Sequence, residues 1–85
     1  MEAEFKSIIL LLTTQAMMNL GEINDPVNNI PKPDKKNSRL FISLLEELKL
    51  KTNGNLNETE DNFLTEVITN LNRLYKDKFN EGLEQ

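Results

Sequence analysis

The sequence predicts an all-α protein of three helices, the first too apolar for the other two to cover. Three observations carry this. Apolar residues recur at helical spacing in three separate stretches. Residues that start or stop helices bound those stretches. The first of them, Phe5–Leu20 (FKSIILLLTTQAMMNL), carries apolar side chains around most of its circumference.

Helix 1 is expected from about residue 4 to residue 20. At about 100° per residue, Phe5, Ile8, Ile9, Leu12, Ala16 and Leu20 share one face. Leu10 and Met17 fall on one flank, Leu11 and Met18 on the other, and a narrow strip with Lys6, Thr14 and Gln15 is left for water. A helix that is apolar nearly all round must be covered nearly all round. The rest of so short a chain covers about half of it. The remainder, Leu10, Leu11, Met17 and Met18 with Thr14 beside them, is read as the seam to a second copy of the chain. The alternative is a central helix wrapped wholly by its own chain. A membrane span fails on length: the unbroken apolar run is Ile8–Leu12, and a span needs ~20 residues. A signal peptide fails because Met1–Glu4 is acidic where a positive region is required.

Composition points the same way. The 85 residues make a single domain, 1–85. A core this small is marginal without disulfides, a metal or oligomerisation. The chain has no Cys, which excludes disulfides and thiolate metal sites, and no His, the commonest metal ligand. Oligomerisation remains. Ten basic and fourteen acidic residues give a net charge of −4. The basic residues stand singly or in pairs, Lys35-Lys36 being the densest, which argues against nucleic acid. A membrane-surface helix needs a cationic face, and helix 1 offers Lys6 alone. Absence of Cys and of a targeting segment fits the cytoplasm.

Gly21 follows the last periodic residue of helix 1, where a left-handed residue commonly ends a helix. Residues 22–37 (EINDPVNNIPKPDKKN) form an extended crossover, because Pro26, Pro31 and Pro33 each force the preceding residue out of helical geometry. Val27 and Ile30 are its expected anchors onto the helices. Pro31-Lys32-Pro33 lacks the full PxxP pattern of a proline-rich ligand.

Helix 2 is expected over about 35–51, capped by Asp34. Phe41, Leu44, Leu45 and Leu48 form its main stripe, and Leu40 and Ile42 widen it. Lys49 and Lys51 suit its C-terminal end, whereas Lys35 and Lys36 oppose the dipole. Glu47 and Lys51 are spaced i, i+4. Asn53-Gly54 stops the helix, and Leu56 dips back toward the core. Asn57 with Glu60 three residues on is a capping-box pattern, and Glu58, Glu60 and Asp61 crowd the first turn. Helix 3 then runs over about 58–79. The short connection makes helices 2 and 3 an antiparallel hairpin. Phe63, Leu64, Val67, Ile68, Leu71, Leu74, Tyr75 and Phe79 form an apolar face wide enough for two neighbours. Arg73, Lys76 and Lys78 suit its C-terminal end, and residues 81–85 are expected to fray.

Two blocks of this chain resemble a family. The first is Thr14-Gln15-Ala16 with Leu20-Gly21-Glu22 and Asp25-Pro26. The second is Lys51-Thr52-Asn53-Gly54-Asn55-Leu56, followed by Glu60, Leu64, Leu71 and Tyr75. Together they resemble a bacterial domain-of-unknown-function family, numbered eighteen forty-four, from about Phe5 to Lys76. The resemblance implies a small helical protein with no assigned activity. Ser43 stands where the family pattern has Asp, and Asn72 where it has Arg. If those two normally pair, this chain has lost both partners.

No catalytic constellation is legible. Without His or Cys, an activated nucleophile would need a Lys or carboxylate beside it. Thr13 and Thr14 lie mid-helix, where hydroxyls usually bond their own backbone. Glu46 and Glu47 are adjacent and so do not face each other on a helix. Asn53-x-Asn55-x-Asn57 has calcium-loop spacing, but Glu58 stands in place of the required Gly, and Leu64 in place of the closing Glu. Lys51-Thr52 lacks the glycine run of a phosphate loop. One polar patch is worth carrying forward: Lys51, Thr52 and Asn55 gathered at a turn beside Gln15. Against it stands the simpler role of satisfying two helix ends.

The sequence therefore predicts a long first helix, an extended crossover and a helical hairpin, dimerising into a bundle through helix 1, with helix 3 able to add to the seam. The predicted role is a non-enzymatic, cytoplasmic, homo-oligomeric interaction module without metal or cofactor. One alternative is a subunit that lays helix 1 on a different, unidentified protein; another is a small-ligand-binding helical protein.

Overall fold

A computed structural model describes residues 2–80. The chain forms α1 (Ala3–Asn19), α2 (Lys35–Lys51) and α3 (Glu58–Phe79), with no strand among the described residues. The fraying read for residues 81–85 lies outside them.

Local chemistry sets the helix ends. Leu20 caps α1, and Gly21 follows at φ +79°. The Gly21 N–H donates to Met18 O at 3.0 Å and the Glu22 N–H to Met17 O at 2.9 Å, the paired bonds of a Schellman motif. Gly21 is favoured twice over, by its positive φ and because a Cβ there would sit tightly, 3.0 Å from Pro33 Cγ. The Asp34 carboxylate accepts the Asn37 N–H at 2.9 Å and so starts α2. At α3, Glu60 N–H donates to Asn57 Oδ1 at 2.8 Å, and Asn57 N–H to Glu60 Oε1 at 3.0 Å, a complete capping box.

The crossover is held differently from the sequence expectation. Val27 is 86% exposed and Ile30 55%, so neither anchors it. Backbone and carboxylate bonds close it instead: Asp25 N–H to Ile30 O at 2.8 Å, Asn29 N–H to Asp25 O at 2.7 Å, and Asn28 N–H to Asp25 Oδ2 at 2.9 Å. Asn29 turns the chain at φ +56°, a conformation Asn tolerates. These bonds hold the turn of the loop without an apolar anchor. Its end is tied to α1 by the Asp34 N–H donating to Asn19 O at 2.7 Å.

That bond places the start of α2 against the end of α1, and α1 packs more extensively on α2 than on α3. The two therefore run in opposite senses. Ala16 and Ser38, each about one turn from the junction, are both fully buried. Between α2 and α3, Arg39 bonds Asn72 and Lys49 bonds Asp61, so early residues of α2 meet late residues of α3 and late meet early.

The core consists of Ile9, Ala16 and Leu20 from α1, Ile42 and Leu45 from α2, and Leu64, Leu71 and Tyr75 from α3. Two expectations about facing are corrected here. On α2, Ser38, Ile42 and Leu45 point inward, while Leu40 and Leu44 stay exposed. On α1, Ile8 is exposed as well. Both apolar arcs are wider than their buried parts, which run through Ile9, Ala16 and Leu20 on α1 and through Ser38, Ile42 and Leu45 on α2.

Candidate interaction surface

The residues read from the sequence as a seam divide into three settings. Leu10 and Leu11 are exposed, at 44% and 63%, and Thr14 lies exposed on the same outer side of α1. Met17 is half-buried in a groove of about 320 Å³ between α1 and α3, lined also by Thr13, Val67, Leu71 and Leu74. Met18 is half-buried in a recess of about 370 Å³ beneath the crossover, with Gln15, Asn19, Asp25, Pro33 and Asp34. The protomer thus partly covers its two methionines and leaves its two leucines to solvent. Ile8 joins them at 47% exposure.

The electrostatics of this face are as distinctive as its apolarity. From Ser7 to Leu20 the chain carries no charged residue. One hydroxyl within it bonds the helix's own backbone: Thr13 Oγ1 donates to Ile9 O at 2.7 Å. A helix face without charge in a chain of net charge −4 offers water little.

The structure does not bring the polar patch together. Gln15 lies in the recess at the end of the molecule where α2 begins. Lys51 and Thr52 lie at the far end of α2, whose 17 residues span about 25 Å. There Thr52 Oγ1 donates to Leu48 O at 2.7 Å, the Asn55 N–H donates to Thr52 O at 2.9 Å, and Lys51 Nζ stands 3.6 Å from Glu47 Oε2. These groups satisfy the helix end.

Sequence reasoning missed a different polar cluster. Arg39 Nη1 donates to Asn72 Oδ1 at 3.3 Å, and Arg39 Nη2 lies 3.2 Å from Glu46 Oε1. Asn72 Nδ2 donates to Glu46 Oε2 at 3.4 Å. The guanidinium stands 5.8 Å from the centroid of the Tyr75 ring, which itself tilts against Phe79 at 5.1 Å. Asn72 thus bonds Arg39 and Glu46 across the α2–α3 contact. The seven-residue spacing of Arg39 and Glu46 on one helix was a visible signal; the family resemblance singles out Asn72 with Ser43 as its counterpart, and its partners here are Arg39 and Glu46 instead. The members bond one another, so the cluster acts as a clip between helices.

Among the described residues no group of three or more His, Cys, Asp or Glu could hold a metal ion. No helix among them is long and apolar enough to cross a membrane.

The model of the family described as Domain of unknown function (DUF1844) matches residues 2–77. The chain belongs to this family. The DUF1844 match takes in α1, the crossover, α2 and all but the last residues of α3. The matched residues therefore span all three helices of this chain. Comparison with curated proteins and with solved structures gave no match.

Proposed function

We propose that this DUF1844 chain is a non-enzymatic, cytoplasmic interaction module that works as a homo-oligomer, two copies pairing through the outer face of α1. One observation carries the reading: Ile8, Leu10 and Leu11 stand exposed on a helix with no charged residue from Ser7 to Leu20. Full burial of a leucine is worth about 1.5–3 kcal/mol, and Leu11, 63% exposed, has most of that gain still open to a partner. Small domains with limited cores commonly draw stability from association. The non-enzymatic part rests on the chemistry present. The chain has no His and no Cys, and its half-buried polar cluster at Arg39 bonds its own members.

Light scattering behind size exclusion tests this. The wild-type chain elutes with twice the 9.8 kDa protomer mass at low micromolar concentration. Leu10→Glu with Leu11→Glu elutes at the protomer mass while keeping its helical circular dichroism, because both side chains lie outside the core. A wild-type chain that is unstable alone and becomes ordered only with another protein would favour the heterologous subunit instead. A well-folded wild-type monomer would overturn the proposal.

A further inference from the structure

The outer face of α1 is too narrow to make a stable interface alone. Its 17 residues span about 25 Å, and a helix is about 10 Å wide, so one side offers on the order of 250 Å². A standard interface needs ~800 Å² per partner. A neighbouring helix must widen the face. On the α3 side the groove is lined by Val67, Leu71 and Leu74, which the protomer already buries or half-buries. On α2, apart from Leu50 beside Glu46 and Lys49, two large apolar side chains remain uncovered: Leu40 at 50% and Leu44 at 41%.

These two leucines lie beside the exposed residues of α1. On α2, Arg39, Glu46 and Lys49 reach α3, while Ser38, Ile42 and Leu45 fill the core. Leu40 and Leu44 occupy the opposite flank. On α1, Gln15, Met18 and Asn19 line the recess beneath the crossover that leads into α2. Ile8 and Leu11 precede Gln15 by seven and four residues, so they share its flank. The opposite senses of α1 and α2 bring the Ile8–Leu11 stretch level with Leu40–Leu44.

We propose that Ile8, Leu11, Leu40 and Leu44 form one apolar platform across α1 and α2, and that its occupant is the same platform of a second copy. The proposal rests on the self-association reading above and specifies which neighbour of α1 completes the interface. Charge selects a second copy in one orientation. Glu4, Ile8 and Leu11 follow one another at i, i+4, i+7, and Lys36, Leu40 and Leu44 at i, i+4, i+8. The α1 stripe thus begins with one exposed acid and the α2 stripe with one exposed base, and the far end of the α2 stripe carries the Glu47–Lys51 pair. Because the helices run in opposite senses, these charges mark opposite ends of the platform. A two-fold axis perpendicular to the helices brings Glu4 of each copy to the same end of the platform as Lys36 of the other. A parallel arrangement sets like against like. Nearby, Glu47 and Lys51 neutralise each other at 3.6 Å. In the resulting dimer, α1 and α2 of both copies form a four-helix layer with α3 outside it.

Sedimentation equilibrium on the full chain tests the platform. Leu40→Glu with Leu44→Glu raises the dimer dissociation constant by at least about tenfold, since charges would be buried without partners, and leaves the helical signal of the protomer intact. Leu50→Glu, at a more exposed leucine of α2 in the shallow depression formed with Glu46 and Lys49, changes it less than about twofold. Glu4→Lys and Lys36→Glu each weaken the dimer a few-fold at low salt, and the two together restore it. A wild-type dimer unmoved by the Leu40/Leu44 change, or moved equally by Leu50→Glu, would overturn the platform alone. So would charge reversals that fail to compensate. A wild-type chain monomeric at every concentration would overturn the platform and the self-association reading together.

Discussion

Replacing Ile9 and Leu11 by Ala, one at a time, separates the two sides of α1. Ile9 is 0% exposed and sits in the shared core; Leu11 is 63% exposed, two residues along. A buried Ile→Ala change costs about 2–5 kcal/mol from lost burial and the cavity left behind. At about 0.05–0.15 kcal/mol per residue, an 85-residue domain holds roughly 4–13 kcal/mol in total. Ile9→Ala therefore removes a large share of the stability at any protein concentration. Leu11→Ala should shift the protomer by only about 0.5 kcal/mol, as surface changes do. Its cost should grow as the protein is concentrated, because a dimer adds stability by mass action. Urea unfolding followed by circular dichroism, at submicromolar and at high micromolar protein, reads both effects. A Leu11→Ala cost at high dilution equal to that of Ile9→Ala would mean that the chain buries α1 all round, and the reasoning would fail.

Other substitutions test how the fold is held. Asn57→Ala loses the acceptor for the Glu60 N–H at 2.8 Å and should cost about 0.5–2 kcal/mol in thermal or urea unfolding. Gly21→Ala and Gly54→Ala both force a Cβ onto a positive φ, +79° and +86°, at about 1–2 kcal/mol each. Gly21→Ala should cost more, since its Cβ meets Pro33 Cγ at 3.0 Å and that of Gly54 meets nothing within 4 Å; equal melting shifts would contradict this. Lys49→Met breaks the 3.0 Å pair with Asp61, whose partners are each roughly half exposed, and should change stability by less than about 1 kcal/mol. Arg39→Met removes the link to Asn72 and Glu46 together with the stacking over Tyr75, so its unfolding midpoint should fall further than that of Lys49→Met.

The three helices were legible because their ends are written in local chemistry. Asp34, the Asn57/Glu60 pair, Gly21 and Gly54 act on backbone groups a few residues away, and no tertiary information is needed to read them. Facing was less legible. Seven apolar residues on α2 offer several possible stripes, and which of them faces inward, Ile42 rather than Leu44, depends on where the other helices pack against α2. The crossover misled for the opposite reason. Val27 and Ile30 invite burial by their chemistry, yet Asp25 and Asn29 close the loop by themselves. Of the surface residues, Leu10 and Leu11 emerged from excess apolarity alone. The separation of Gln15 from Lys51 depends on which helix ends meet, and the Asp34–Asn19 bond fixes that.

The central claim is that the outer face of α1 is made to be covered by another copy. The weight-average mass of the wild-type chain by sedimentation equilibrium, over a concentration series from submicromolar to high micromolar, tests it most directly. The account predicts a rise from 9.8 kDa to twice that value with no loss of helical signal. A folded chain that stays at 9.8 kDa across the whole series would contradict it.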